Sequence, residues 1–167
     1  MSGAVALVDV VDAAVVTELT QAVWASFVDD EVELDEAFEV PSDADLADAL
    51  VGRIAIEGPA AAVVQVVLPE AAARAAASRM LALDPDDVDE ADVADATGEI
   101  TNMVGGNLKA VLVGEHRLGL PAVTRGTSGP RAGTVLAPLW WGEHLLLVRV
   151  DALPGADATA VPHPRHP

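Results

Sequence analysis

The order of the apolar runs constrains this chain more than any other feature. ADALVGRIAIEGPAAAVVQVVLP (47–69) holds two β-rich runs hinged at Glu57-Gly58-Pro59, and TVLAPLWWGEHLLLVRV (134–150) holds two more turning near Gly142-Glu143. Each hairpin follows a helical pattern and an extended piece. In the first half a helix is predicted over 9–29, where Val16, Leu19, Val23, Trp24 and Phe27 share one broad face. EVELDEAFEV (31–40) follows, its apolar residues alternating with acids as in an edge strand or a loop. In the second half a helix is predicted from Pro85 to about 113, followed by the extended, turn-rich LGLPAVTRGTSGPRAG. EAAARAAASRMLAL (70–83) joins the halves as a short helix with Arg74 and Arg79 on its polar side.

Residues 9–68 are therefore echoed by 85–151, a weak internal repeat visible in element order more than in identities. The architecture this implies is α+β: a mainly antiparallel sheet of about six strands with two long helices on one face. Residues 1–152 form one domain in this reading, and 153–167 (LPGADATAVPHPRHP) form a disordered Pro-rich tail.

Composition narrows the function. The chain is 51% hydrophobic but only 3% aromatic and lacks Tyr, so Ala, Val and Leu must fill the core through close backbone approach. A net charge of −18 repels nucleic-acid phosphates and anionic membranes. The absence of Cys removes thiolate chemistry, disulfides and Cys-ligated metals together. The N-terminus has no basic region and is interrupted by Asp9 and Asp12, and PAAAVVQVVLP is too short to span a bilayer, so a cytoplasmic location is expected. The acidic run at 84–90 is explained by helix capping after Asp84-Pro85 rather than by a metal or partner site. His116 and His144 lack metal-ligand spacing and are expected to be surface or core residues, with no metal site. Trp140-Trp141 is expected in the core or at an interface.

The chemistry concentrates in DATGEITNMVGGNLKAVL. Asp95, Glu99 and Asn102 lie at i, i+4 and i+7 along one helical face, opposite an apolar face of Ile100, Met103, Val104, Leu108 and Val111. The same stretch accepts Gly105 and Gly106, each costing a helix about 1 kcal/mol against Ala. Such glycines permit close approach, either to a partner or to the first helix. Glu18 and Gln21 repeat the Glu and amide spacing on the first helix. Gln is one methylene longer, so this pair is expected to be a degenerate, structural copy.

DATGEITNMVGGNLKAVL together with LGLPAV (118–123) resembles the CheC/CheX/FliY family of response-regulator phosphatases. Its signature of Asp or Ser, then Glu, then Asn, then a later Pro corresponds here to Asp95, Glu99, Asn102 and Pro121. With one motif rather than two, the chain is more similar to CheX than to CheC. The resemblance implies a CheC-like fold and a hydrolase acting on the aspartyl phosphate of a CheY-type receiver domain. Asn102 would orient the attacking water and Glu99 would dock the receiver's lysine, while Asp95, Gly105, Gly106 and Pro121 would contact the partner. It also implies a homodimer joined through the sheet, and no cofactor of its own, since the receiver supplies Mg²⁺. The alternatives are a FliM-like module that binds a receiver without hydrolysis, or a structural dimer.

Overall fold

A computed structural model describes residues 7–126 and 134–153. The expected tail falls outside them except for Leu153, as do residues 127–133 of the turn-rich loop.

The first helical segment is broken rather than continuous. α1 (Leu7–Val10) ends before Asp12, whose side chain accepts the Val15 amide at 2.9 Å and so caps α2 (Ala13–Val23). A π-helical turn, Trp24–Val28, completes it. The expectation of one helix over 9–29 missed the cap because Val10, Val11, Val15 and Val16 carry the apolar spacing across Asp12. β1 (Leu34–Glu36) is an edge strand of three residues. β2 (Leu50–Glu57) and β3 (Ala62–Leu68) form the expected hairpin, and α3 (Glu70–Leu81) buries Ala72, Ala73, Ala76 and Ala77 completely.

α4 (Glu90–Val111) starts later than the Asp84-Pro85 signal implied. Asp84 instead caps a 3-10 turn at Pro85–Asp87. Asp89 then caps α4 in a reciprocal box, accepting the Asp92 amide at 2.8 Å while Asp92 accepts the Asp89 amide at 3.1 Å. The acidic run is thus two successive helix starts. Beyond α4 come β4 (Arg117–Leu118), β5 (Ala122–Arg125), β6 (Thr134–Trp141) and β7 (His144–Ala152).

Among the described residues seven strands form a single antiparallel sheet in the order β1-β6-β7-β3-β2, with β4 and β5 both pairing β2 at the far edge. Exchanging the two halves, β1 with β5, β2 with β6 and β3 with β7, reverses this order onto itself. The repeat is therefore a pseudo-twofold axis between β3 and β7, across which each half donates its edge strand to the other half's hairpin. That exchange makes the halves one unit.

Among the described residues the two long helical segments and the short α3 cover one face. α2, α3 and α4 pack with Ile54, Val64, Val66, Leu139, Leu146, Val148 and Val150 into one core. Trp141 belongs to that core and meets Trp24 edge to face at 5.2 Å, whereas neighbouring Trp140 points to the other side and is 38% exposed. On that other side Leu46, Ala49, Val51, Val67 and Leu147 form a smaller cluster.

Candidate functional site

α4 lies along β2 so closely that side chains at the contact must be small. An added Cβ on Gly52 would stand 1.8 Å from the Thr101 hydroxyl, and one on Gly105 would stand 2.6 Å from Ile54 Cγ2. Gly105 is buried, so its reason is the sheet beneath it, neither a partner nor the first helix as expected from sequence. Thr97 and Thr101 occupy the same buried stripe and return their hydroxyls to the carbonyls of Val93 and Thr97, each at 2.7 Å, which leaves no orphaned polar group there.

The flank of α4 facing the sheet edge is built differently. Gly98 lies against Val123 at 3.6 Å from an added Cβ, and Gly106 lies against Leu118 at 3.9 Å, both ordinary contacts. Asn102 stands midway between them at i, i+4, i+8, so its neighbours one turn away on either side have no side chain. The amide is half-buried, while Glu99 and Asp95 are exposed. Among the described residues no hydrogen bond or ion pair engages the side chain of Asp95, Glu99 or Asn102. Their donors and acceptors are free for another molecule. The apolar face holds at Ile100, Val104 and Leu108, but Val111 at the helix end is 39% exposed.

The sequence copy on α2 differs in one respect that decides its use. Gln21 donates through Nε2 to the Leu34 carbonyl at 2.9 Å, tying α2 to the edge strand β1. Its amide serves the fold.

Pro121 is exposed and lies beside the strip, in the connection between β4 and β5. Leu118 pairs with Ile56 and Ala122 with Arg53, so Gly119, Leu120 and Pro121 face only Ile54 and Ala55: the edge carries one extra residue, a β-bulge. Gly119 donates to the Ala55 carbonyl at 2.9 Å, and Pro121, having no N–H, fits where pairing lapses. Because Gly105 lies over Ile54 and Thr101 over Gly52, the bulge stands at the level of the turn that carries Asn102.

The histidines take structural places. His116 accepts the Ala60 amide on Nε2 at 3.1 Å, and the His144 ring packs at 5.5 Å from Trp141. Asp29, which the sequence reading passed over, is buried and receives the Trp141 indole at 2.9 Å and Arg79 at 3.1 Å. Burial acts to raise the Asp29 carboxyl, but the Trp141 indole, the Glu31 and Val32 amides and the Arg79 charge outweigh it and hold it below the ordinary carboxylate range. This carboxylate is a clamp among α3, β6 and the segment after α2, away from the strip.

A family model described as chemotaxis phosphatase CheX matches residues 50–137, more than half of the chain and including all of α4. The chain belongs to the CheX family. CheX of Vibrio vulnificus is 18% identical with a TM-score of 0.69, covering 92% of this chain and 100% of that one. CheX from a CheX-CheY-BeF3-Mg²⁺ complex of Borrelia burgdorferi is 13% identical with a TM-score of 0.67, covering 86% of this chain and 98% of that one. The FliM of a FliM-SpeE complex from H. pylori is similar at 13% identity and a TM-score of 0.51, covering 84% of this chain and 80% of that one. No curated protein sequence matches significantly. These likenesses establish the CheC-like fold. No described helix is long and apolar enough to cross a membrane.

Gly52, Gly98 and Leu120 were not singled out from sequence. Gly98 had a signal available, the spacing Gly98-Asn102-Gly106. Gly52 had none, because only the crossing of α4 over β2 makes it necessary.

Proposed function

We propose that this CheX-family protein hydrolyses the aspartyl phosphate of a CheY-type receiver domain, with Asn102 and Glu99 completing an active site that the receiver largely carries. The observation that supports this is the uncommitted Asn102 amide, set between Gly98 and Gly106 and one turn from an equally free Glu99. The family's description as a chemotaxis phosphatase and the CheX-CheY complex of Borrelia burgdorferi point the same way.

The chemistry needs little from this chain. Water attacks phosphorus in line with the P–O bond to the aspartyl carboxylate, that bond breaks, and aspartate and inorganic phosphate leave. A carboxamide suits the attacking side because it accepts from the water and donates to the phosphoryl group without adding negative charge. Glu99 pairs with the receiver's lysine and sets the register of the helix. Mg²⁺ arrives with the phosphorylated receiver as part of the substrate. Asp95, farther along the strip, and Pro121, beside it, contact the receiver's rim.

A FliM-like module that only docks would not require a free amide at the centre of the strip, and a purely structural helix would have no use for a half-buried amide left without a partner. The dimer implied by the family would join through the sheet, where Trp140 is accessible, and analytical ultracentrifugation measures it. Hydrolysis is tested by phosphate release from a receiver kept phosphorylated with a small-molecule phosphodonor: catalytic amounts of this chain should accelerate it. Stoichiometric binding with no acceleration would place the chain in the docking class.

A further inference from the structure

Acidic residues outnumber Lys and Arg 27 to nine in this chain, so a cation left without a carboxylate needs a reason. Among the described residues Arg53 donates to Thr124, Arg74 to the Val88 carbonyl and Arg79 to Asp29, Arg125 lies near Glu70 and Glu90, and Arg149 meets Asp151. Lys109 and Arg117 have no such partner, and both line one open hollow of about 760 Å³ at the end of α4. Glu57 and Glu115 line it too, without reaching ion-pair distance of either cation. His116, also in the lining, is already committed: Nε2 accepts the Ala60 amide and Nδ1 lies 3.1 Å from the Gly114 carbonyl.

The place of this hollow is fixed relative to Asn102. Lys109, the chain's single lysine, follows Asn102 by seven residues on one continuous helix, which returns it to within about 20° of the same side and about 10 Å farther along the axis. Gly106 lies between them, and a Cβ on it would stand 3.9 Å from Leu118, so β4, which begins at Arg117, runs beside this part of α4. The strip is therefore polar along its length, with Asp95 and Glu99 before the amide and Lys109 after it. A cation in the last helical turn also complements the helix dipole, which accounts for Lys109 on α4 but not for Arg117 on a strand.

We propose that Lys109, with Arg117 lining the same hollow, is a basic docking contact for carboxylates on the receiver's surface, and that the opposite charges of Glu99 and Lys109 on either side of Asn102 fix the direction in which the receiver lies along α4. This rests on the reading given under Proposed function. At that separation from Asn102 the contact serves binding and not the chemistry at phosphorus. A receiver turned end for end would set its lysine against Lys109 and its acids against Glu99, so the wrong pose is repelled. Charge also selects the occupant: two cations flanked by Glu57 and Glu115 suit the mixed charges of a protein surface, whereas a nucleic acid or a free phosphate would meet those acids and a net charge of −18.

The test compares wild type, Lys109→Gln, Lys109→Glu and Lys109→Arg in two assays: steady-state dephosphorylation of a receiver, and binding to the same receiver held in its activated form by beryllofluoride. At low ionic strength the Gln variant should weaken binding and raise KM about threefold and the Glu variant about tenfold, with kcat within twofold. The Arg variant should behave as wild type, and the differences should shrink in salt. Changing one receiver carboxylate to lysine should improve binding to Lys109→Glu more than to wild type. Equal improvement at every receiver carboxylate tried would reveal only the field of the whole protein and overturn the contact. Unchanged binding and KM in Lys109→Glu would overturn it while leaving the phosphatase reading intact. A lower melting temperature with normal binding would overturn it in favour of the helix dipole. Inorganic phosphate that competes with the receiver for wild type but not for Lys109→Gln would overturn it in favour of a small anion. Weakened binding by Lys109→Glu without any hydrolysis by wild type would support the docking contact and remove the phosphatase.

Discussion

Thr101 stands directly on Gly52: the space a Cβ would occupy on the glycine is already filled by the threonine hydroxyl, 1.8 Å away. The height of α4 above β2 is set there, one residue from Asn102. Gly52→Ala should therefore destabilise the protein by about 1–3 kcal/mol, the usual range for overpacking a close contact. Thr101→Ala in the same molecule removes the hydroxyl and methyl and should restore part of the loss. Denaturant unfolding of the two single variants and the double variant checks the coupling.

Gly106 makes the opposite case. Its added Cβ would meet Leu118 at 3.9 Å, an ordinary contact, so Gly106→Ala should stabilise the fold by up to about 1 kcal/mol through helix propensity. If the receiver approaches the flank beside Asn102, the same methyl should lower phosphatase activity. A variant that melts higher yet works as well as wild type would remove Gly106 from the partner surface.

Gln21→Ala loses the bond from the amide to the Leu34 carbonyl. About 1 kcal/mol of stability should go with it, and kcat should not change. Activity falling in proportion to that of an Asn102 variant would show instead that α2 carries a second working site.

Asp29 titrates below the ordinary carboxylate range in the folded protein because its hydrogen bonds and Arg79 favour the charged form despite burial. A depressed native pKa contributes stability above the unfolded value of about 3.9, and that contribution is lost as pH falls through the native value. Thermal stability should thus decline below about pH 4, and Asp29→Asn should be less stable at neutral pH with a flatter acid limb. Equal slopes in the two proteins would contradict the clamp.

Charge on the whole surface makes a prediction about rate. With a net charge of −18 facing an acidic phosphorylation site, activity should rise from low to moderate ionic strength as repulsion is screened. A monotonic fall over that range would mean that local attraction at Glu99 outweighs the global field.

Sequence periodicity exposed the hairpins, the two-half order and the Glu99-Asn102 strip, because each is written in local spacing. It could not show the break at Asp12, where one capping side chain interrupts an apolar run, or the start of α4 at Glu90, where one acid-rich segment supplies two caps. The role of Gly105 was hidden for another reason: a glycine in a helix signals close approach without saying to what, and Ile54 is 51 positions away in the chain. The bulge at Gly119–Pro121 likewise exists only against the register of β2.

In the proposed reaction the free amide of Asn102 positions water on a receiver's phosphoryl group. The most direct measurement is the decay of a phosphorylated CheY-type receiver with substoichiometric wild type, Asn102→Ala or Glu99→Ala, under single-donor conditions. Wild type should accelerate decay, Asn102→Ala should lose at least about a hundredfold of that acceleration while still binding, and Glu99→Ala should lose it largely through weaker binding. Acceleration that survives in Asn102→Ala would contradict the account.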